Sequence, residues 1–326
     1  MQKEQVFYNR IILPTRPQPD TLAAIFILKK FGGERFPCIK DARIEVMQSL
    51  PLGATEVRLD AEGVVLIDIG GGRFDHHAVK EKTTASDLVS SYLGVSGNPA
   101  LAKLLEYVRR DDFYGKGTIS SDPLDRAFGL SALVANVNKV LAKEPARVVD
   151  VIIPLLVAHY KEEVRRTEEL PREFKDLMRT GKVDELEIRQ QKKKLRVVML
   201  ESNNASMAGY LRSQNGGKYD VVAQWLPSGH VNILTRPAKR ISLKALAALV
   251  RAEEMTRAGV RAEVNEYELM SSGRLHIVPE WYYDPATNSL QNGGINPKDI
   301  SPTRITRDDF KNMLSVGLQE SSLSMV

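Results

Sequence analysis

Asp68, Asp75, His76 and His77 stand close together in the chain, with Gly70-Gly71-Gly72 between the first acid and the second. Carboxylates and imidazoles at this spacing suit a divalent cation such as Mn²⁺, Mg²⁺ or Zn²⁺, and no thiolate stands nearby. The glycines let the backbone turn sharply and pass close to a ligand. Val64-Val65-Leu66-Ile67 leads into this stretch and reads as a short buried strand. A carboxylate in mid-strand would be costly to ionise. At the strand's C-terminal edge it faces the crevice where open α/β sheets place their ligands.

The elements that must position these residues are legible along the chain. Residues 7–13 read as a first strand, followed by the proline-rich loop 14–20. A helix over 21–31 is capped by Asp20 and ended by Gly32-Gly33. Residues 43–46 and 56–59 read as short strands or parts of loops. Residues 84–94 form a capped helix that stops at glycine. A helix over 98–110, with Leu101, Leu104, Leu105 and Val108 on one face, delivers the adjacent acids Asp111 and Asp112. Segments 127–141 and 145–169 carry helical periodicity. Pro171 and the polar run that follows read as a spacer. Beyond it come a strand over 196–200, a helix over 205–214, and two strands, 219–225 and 230–236, around the turn Pro227-Ser228-Gly229. Helices over 242–258 and 305–318 complete the reading. The expected class is α/β: an N-terminal parallel-sheet domain with helices on both faces (1–145), a helical connector (146–194) and a smaller α/β C-terminal domain (195–326).

Composition narrows the function classes. The 326 residues are 43% hydrophobic and 27% charged, as in a globular protein. The net charge of +5 is compatible with an anionic substrate. The single cysteine, Cys38, forms no internal disulfide and is expected as a small buried apolar residue. No apolar run is long enough for a bilayer, and no signal-peptide core follows the first residues, so no membrane partner and a cytoplasmic location are expected. Lys192-Lys193-Lys194 with Arg189 and Arg196 reads as a solvated helix end. The lack of a Walker-type glycine-lysine loop argues against a P-loop kinase.

"LIDIG" followed by "DHH", within "LIDIGGGRFDHHAV" at 66–79, resembles motifs two and three of the DHH phosphoesterase superfamily. That superfamily includes RecJ-like exonucleases, oligoribonucleases and cyclic-dinucleotide phosphodiesterases. The close spacing is similar to the melanocyte-proliferating-gene type of exonuclease. The resemblance implies a DHH domain, a DHH-associated C-terminal domain and metal-dependent phosphodiester hydrolysis with Mn²⁺ or Mg²⁺. Carried onto this sequence, it implies Asp20, Asp68, His76 and Asp111 as metal ligands, with Asp112 as the alternative to Asp111. Gln18-Pro19-Asp20 matches the Asn-Pro-Asp of the first motif, but Arg16 stands where the family has His and Leu22 where it has a second Asp. Neither replacement ligates a cation, so one ion rather than two is expected. Arg16 then supplies a fixed charge that grips phosphate. His77 and Asp75 orient His76 or shield leaving-group charge.

In the C-terminal part the resemblance puts Arg236 at the position of a phosphate-gripping arginine. It leaves His276 and Asn292-Gly293-Gly294 as the nearest counterparts of the family's Gly-Gly-Gly-His segment. Trp281, Tyr282 and Tyr283 either stack on a base or belong to a core. The implied substrates are short oligonucleotides, single-stranded nucleic-acid ends or a small phosphate ester. The alternative is a catalytically degenerate nucleotide- or nucleic-acid-binding protein of the same fold. A homodimer is left open.

Overall fold

Three short parallel strands carry the Asp68 stretch. In the computed structural model, which describes residues 5–115, 117–293 and 299–319, they are β1 (Arg10–Pro14), β2 (Arg43–Met47) and β3 (Val64–Leu66), in the order β2-β1-β3. Ile11↔Val65 and Ile11↔Ile44 set the register on either side of β1. Side chains alternate across a strand, and both faces of this sheet are covered. Ile11, Leu13, Val65 and Ile67 share one core with helices α1 (Pro19–Phe31), α3 (Ala85–Tyr92), α4 (Ala102–Tyr114) and α7 (Arg147–Val164). Ile12, Val64 and Leu66 face the other way, onto Met47, Leu50 and Leu59, the last from α2 (Glu56–Ala61). Residues 56–59, expected as strand or loop, are thus helical: Thr55 accepts from the Arg58 amide and caps α2.

Helix α1 is buried from Pro19 through Leu28, as befits a helix that is apolar almost all round. Leu22, at the position of the missing family acid, is fully buried in that core. Lys29 reaches out of the core, donating to the carbonyls of Ala42 (2.8 Å) and Lys40 (3.2 Å). Between α4 and α7 lie α5 (Pro123–Ala127) and α6 (Leu130–Val140). Cys38 is exposed, contrary to the buried role expected of it. It sits with φ +69° immediately before a short 3₁₀ turn, a backbone that turns its side chain away from the core formed by Phe36 and Ile39.

The chain divides into two compact units, Met1–Arg165 and Arg166–Val326, so 146–194 is not a separate connector. Its first part is α7, packed on α1 in the first unit. Its second part opens the second unit with α8 (Leu170–Arg179) and β4 (Val183–Gln190). The second unit is nearly as long as the first. Its sheet has the order β4-β5-β6-β7-β10-β9-β8, with β5 (Lys193–Glu201), β6 (Val221–Trp225), β7 (Val231–Thr235), β8 (Gly273–Leu275), β9 (Val278–Asp284) and β10 (Ser289–Asn292). Among the described residues of this sheet β5–β6 is the one parallel pair, the others being antiparallel. The basic run 192–194 falls at the tight β4–β5 turn, where Gln191 takes φ +53°, and not at a helix end. Leu195, Val197 and Met199 point to α10 (Lys244–Ala258) and α12 (Arg307–Gln319), while Val198 and Leu200 point to α8 and α9 (Met207–Arg212). No described helix of either unit is long and apolar enough to cross a membrane.

Candidate metal centre

Asp68 ends the run from β3 in a left-handed conformation, φ +58°. Such a backbone costs a non-glycine residue energy, least for Asp and Asn. Here the loop 68–75 holds it: the Asp68 amide donates to the Phe74 carbonyl (3.0 Å) and the Asp75 amide to the Gly72 carbonyl (3.0 Å). The turn between them needs Gly70 and Gly71 at φ +82° and +68°. Glu56 of α2 closes the loop from outside, accepting from the Arg73 amide (3.0 Å) and from Arg73 Nε (2.8 Å). Asp75 is bound within the loop, accepting from the Gly71 amide (2.7 Å) and the His77 amide (3.1 Å).

This loop brings two imidazoles to the Asp68 carboxylate. His76 Nδ1 lies 3.3 Å from Asp68 Oδ1 and 3.4 Å from Asp20 Oδ2. His76 Nε2 lies 3.7 Å from Asp112 Oδ1. His77 Nδ1 is 2.8 Å from Asp75 Oδ1 and 3.4 Å from Asp68 Oδ1, and the two imidazoles stack at 4.4 Å. Asp68, His76 and His77 each offer a ligand atom, all within 4.8 Å of one another, and can together hold a metal ion.

The polar accounting fits such an ion. Asp68 Oδ2 accepts a 2.6 Å bond from Thr21 Oγ1, but Asp68 Oδ1 and His76 Nδ1 are both buried and make no hydrogen bond. Orphaned buried polar atoms are rare and costly, and a cation between these two would satisfy both. The protonation energetics agree. Burial, opposed by the Thr21 bond and reinforced by the nearby Asp20 charge, pushes Asp68 up to about 6. The Asp20 carboxylate, against the desolvation of the ring and with help from Asp68, holds His76 up at about 9. Beside burial, both shifts reflect the same crowding of carboxylates around His76, a setting that favours positive charge.

Asp20 has a different anchor from the one expected. It does not cap its own helix, whose N-cap is Gln18. Its buried carboxylate instead accepts from the amides of Ala85 (2.7 Å) and Ser86 (2.9 Å), the first turn of α3. These bonds and the His76 contact outweigh burial and hold its carboxyl below the usual range. Among the described residues, the carboxylates within 4 Å of a His76 nitrogen are Asp20, Asp68 and Asp112; Asp111 is not one of them. Successive residues of a helix point about 100° apart, so α4 can aim only one of the two adjacent acids at His76, and it aims Asp112. Arg109 fixes that face by a paired contact to Asp87 of α3, Nε at 3.0 Å and NH2 at 2.7 Å. Arg16 makes no hydrogen bond or ion pair with the cluster; it is exposed and lines a cavity with α6.

Sequence reasoning missed Thr21 and Glu56. Thr21 follows Asp20 and receives the Gln18 amide at 3.2 Å, so the helix-start pattern flagged the turn but not the bond to Asp68. Glu56 lay in a segment whose helical state went unread.

The second unit holds the remaining expected residues. Arg236 NH2 pairs at 2.7 Å with the buried carboxylate of Asp220, which also receives the Arg196 amide at 3.0 Å. One terminal nitrogen of its guanidinium is therefore held by the fold. Trp281 and Tyr283 are core residues; Trp281 donates to Glu254 Oε2 at 3.0 Å and stacks on Phe310. Tyr282 is exposed. His276 is exposed at the β8–β9 turn, Gly293 takes φ +78°, and Gly294 lies outside the described residues.

No protein-family model matches the chain, and no curated protein does. Among solved structures it is similar to an uncharacterized protein from Helicobacter pylori G27, at 11% identity and a TM-score of 0.25, over 96% of this chain and 100% of that one. It is also similar to a DHH domain described as a member of the s1p family of ribosomal proteins, at 12% identity and a TM-score of 0.24, over 76% and 79% of the two chains. Likeness at this level carries no argument about fold or function.

Proposed function

We propose that the chain is a metal-dependent phosphoesterase acting on short oligonucleotides, single-stranded nucleic acid or a small phosphate ester. The observation that carries this reading is the buried, unsatisfied pair Asp68 Oδ1 and His76 Nδ1 at 3.3 Å, set in a stretch that resembles the second and third motifs of the DHH phosphoesterases. Asp68, His76 and His77 would hold one Mn²⁺ or Mg²⁺, with Asp20 and Asp112 as the neighbouring carboxylates. Such an ion, when bound, supplies Lewis-acid polarisation and an activated water. Thr21 fixes the Asp68 carboxylate, and Asp75 fixes the His77 ring through its Nδ1. Asp112, raised by burial, stands 3.7 Å from His76 Nε2 and adds a further carboxylate beside the ion.

A second reading has its own observation. Leu22 is sealed in the core at the place of a family acid, which favours a protein that binds nucleotides or nucleic acid without turnover. The two readings separate in one experiment. The stripped protein is titrated with Mn²⁺ by calorimetry and assayed on a short fluorescent oligonucleotide with and without the ion. Cleavage that needs Mn²⁺ and disappears in Asp68→Asn is expected. Binding of the ion with no cleavage would leave the binding protein, and cleavage retained in Asp68→Asn would end the metal-centre reading.

A further inference from the structure

Arg16 and Lys139 line one cavity of about 510 Å³ together with Gln18, Ala135, Asn138 and Ala142. Two cations and two amides contribute to its wall, and no carboxylate does. Among the described residues neither Arg16 nor Lys139 has an ion-pair partner. Asn138 Nδ2 donates to the Pro17 carbonyl (3.0 Å) and to the Val134 carbonyl (3.1 Å), which fixes the loop carrying Arg16 onto α6. The cavity is therefore held by the fold, and its free donors suit an anion.

Its position relative to the candidate metal centre follows from the chain. Gln18 in the cavity wall and Asp20 beside His76 are two residues apart, so their Cα atoms are within about 7.6 Å. One short segment thus carries Arg16 and Gln18 into the cavity wall and Asp20 to the metal centre. The volume is that of a small-molecule site, several times larger than a phosphate group needs.

We propose that this cavity is a subsite for a terminal phosphate of a nucleotide-sized ligand, gripped by Arg16 and Lys139 while a neighbouring phosphoryl group lies at the Asp68–His76 centre. This deepens the phosphoesterase reading and rests on it for the second half of that statement. It gives the chain a preference for phosphorylated over unphosphorylated ends, measured from a site that needs no metal.

The test compares a dinucleotide carrying a 5′-phosphate, one carrying a 3′-phosphate and the unphosphorylated dinucleotide, each bound to the full chain in EDTA. One phosphorylated form is expected to bind roughly ten- to a hundredfold tighter than the unphosphorylated one, as charge-assisted bonds to one group imply. Inorganic phosphate should compete. In the double variant Arg16→Gln with Lys139→Gln that advantage should vanish while Mn²⁺ affinity stays; both side chains are exposed, so the fold is not at stake. Equal affinity for all three ligands, or an advantage that survives in the double variant, overturns the subsite. Wild-type discrimination without any Mn²⁺ binding would keep the subsite and remove the metal centre instead.

Discussion

Asp68 Oδ1 and His76 Nδ1 lie 3.3 Å apart in a buried setting, and neither makes a hydrogen bond. The pair is held there by independent supports, Thr21 on the far oxygen of Asp68 and the 68–75 loop beneath His76. Asp68→Asn keeps this shape and removes the charge. The variant is expected to fold with a melting temperature at or above that of the metal-free parent, because a buried carboxylate next to Asp20 is lost. It is also expected to lose the rise in melting temperature that Mn²⁺ gives the parent, a stabilisation of about 2.7 kcal/mol at a metal concentration one hundred times Kd. Scanning calorimetry with and without Mn²⁺ checks both halves.

The protonation of the site gives a pH signature. His76 stands at about 9 in the metal-free fold, above the usual 6.5, so its contribution to stability is full below 6.5 and is lost as pH rises through 9. Asp68, raised to about 6, acts in the same direction at lower pH. A metal must displace the His76 proton. Mn²⁺ affinity is therefore expected to climb roughly tenfold per pH unit between pH 6.5 and 8.5, with about one proton released per ion. Calorimetry in two buffers of different ionisation enthalpy counts that proton. A flat affinity over this range would mean that His76 enters the site neutral.

The site's chemistry was legible in the sequence because its parts are local. Asp68, the glycines, Asp75, His76 and His77 lie in one stretch, and an apolar β-branched run announces the strand before them. Distant partners were not legible. Asp20 reads as the cap of the helix that follows it, and only folding shows that it binds first-turn amides of α3 instead. The choice between Asp111 and Asp112 depends on the rotation of α4, which the Arg109–Asp87 contact sets from another helix. The α/β class followed from periodicity, yet the boundary at Arg165 did not, because a polar spacer and a β-hairpin with charged outer positions look alike in sequence. Strand β4 shows why: Glu185, Glu187 and Arg189 alternate with half-buried and buried positions, and its apolar signal is thin.

Glu56 is expected to act on the metal centre without touching it. It accepts from both the amide and the side chain of Arg73, and so closes the loop that positions His76. Glu56→Ala leaves those donors to solvent and should cost about 1.5–3 kcal/mol, the range for hydrogen bonds to charged groups. Mn²⁺ affinity should fall with it, whereas Glu62→Ala, whose contacts are to the half-buried Arg10 at 3.8 Å and the exposed Arg58, should change neither. A Glu56→Ala protein of lower stability but unchanged Mn²⁺ affinity would show that the loop holds its shape without α2.

Arg236 offers the sharpest contrast between motif reasoning and contact reasoning. By resemblance it grips substrate phosphate; in the fold its NH2 meets Asp220 at 2.7 Å, with the Asp220 side chain 4% exposed and that of Arg236 26%. Removing one member of a fully buried ion pair costs roughly 3–5 kcal/mol, and the partial exposure of Arg236 lowers the expectation to about 2–3 kcal/mol. Arg236→Ala should therefore lower stability by that amount in urea unfolding. Asp220→Asn should lower it less, because the Asn side-chain oxygen can still accept from the Arg196 amide and the arginine left behind can reach water. Substrate affinity separates the two roles. A structural arginine predicts that both variants, assayed well below their melting temperatures, bind a phosphorylated dinucleotide as the parent does. A phosphate-gripping arginine predicts weaker binding in Arg236→Ala and, because Asp220 no longer competes for the guanidinium, tighter binding in Asp220→Asn.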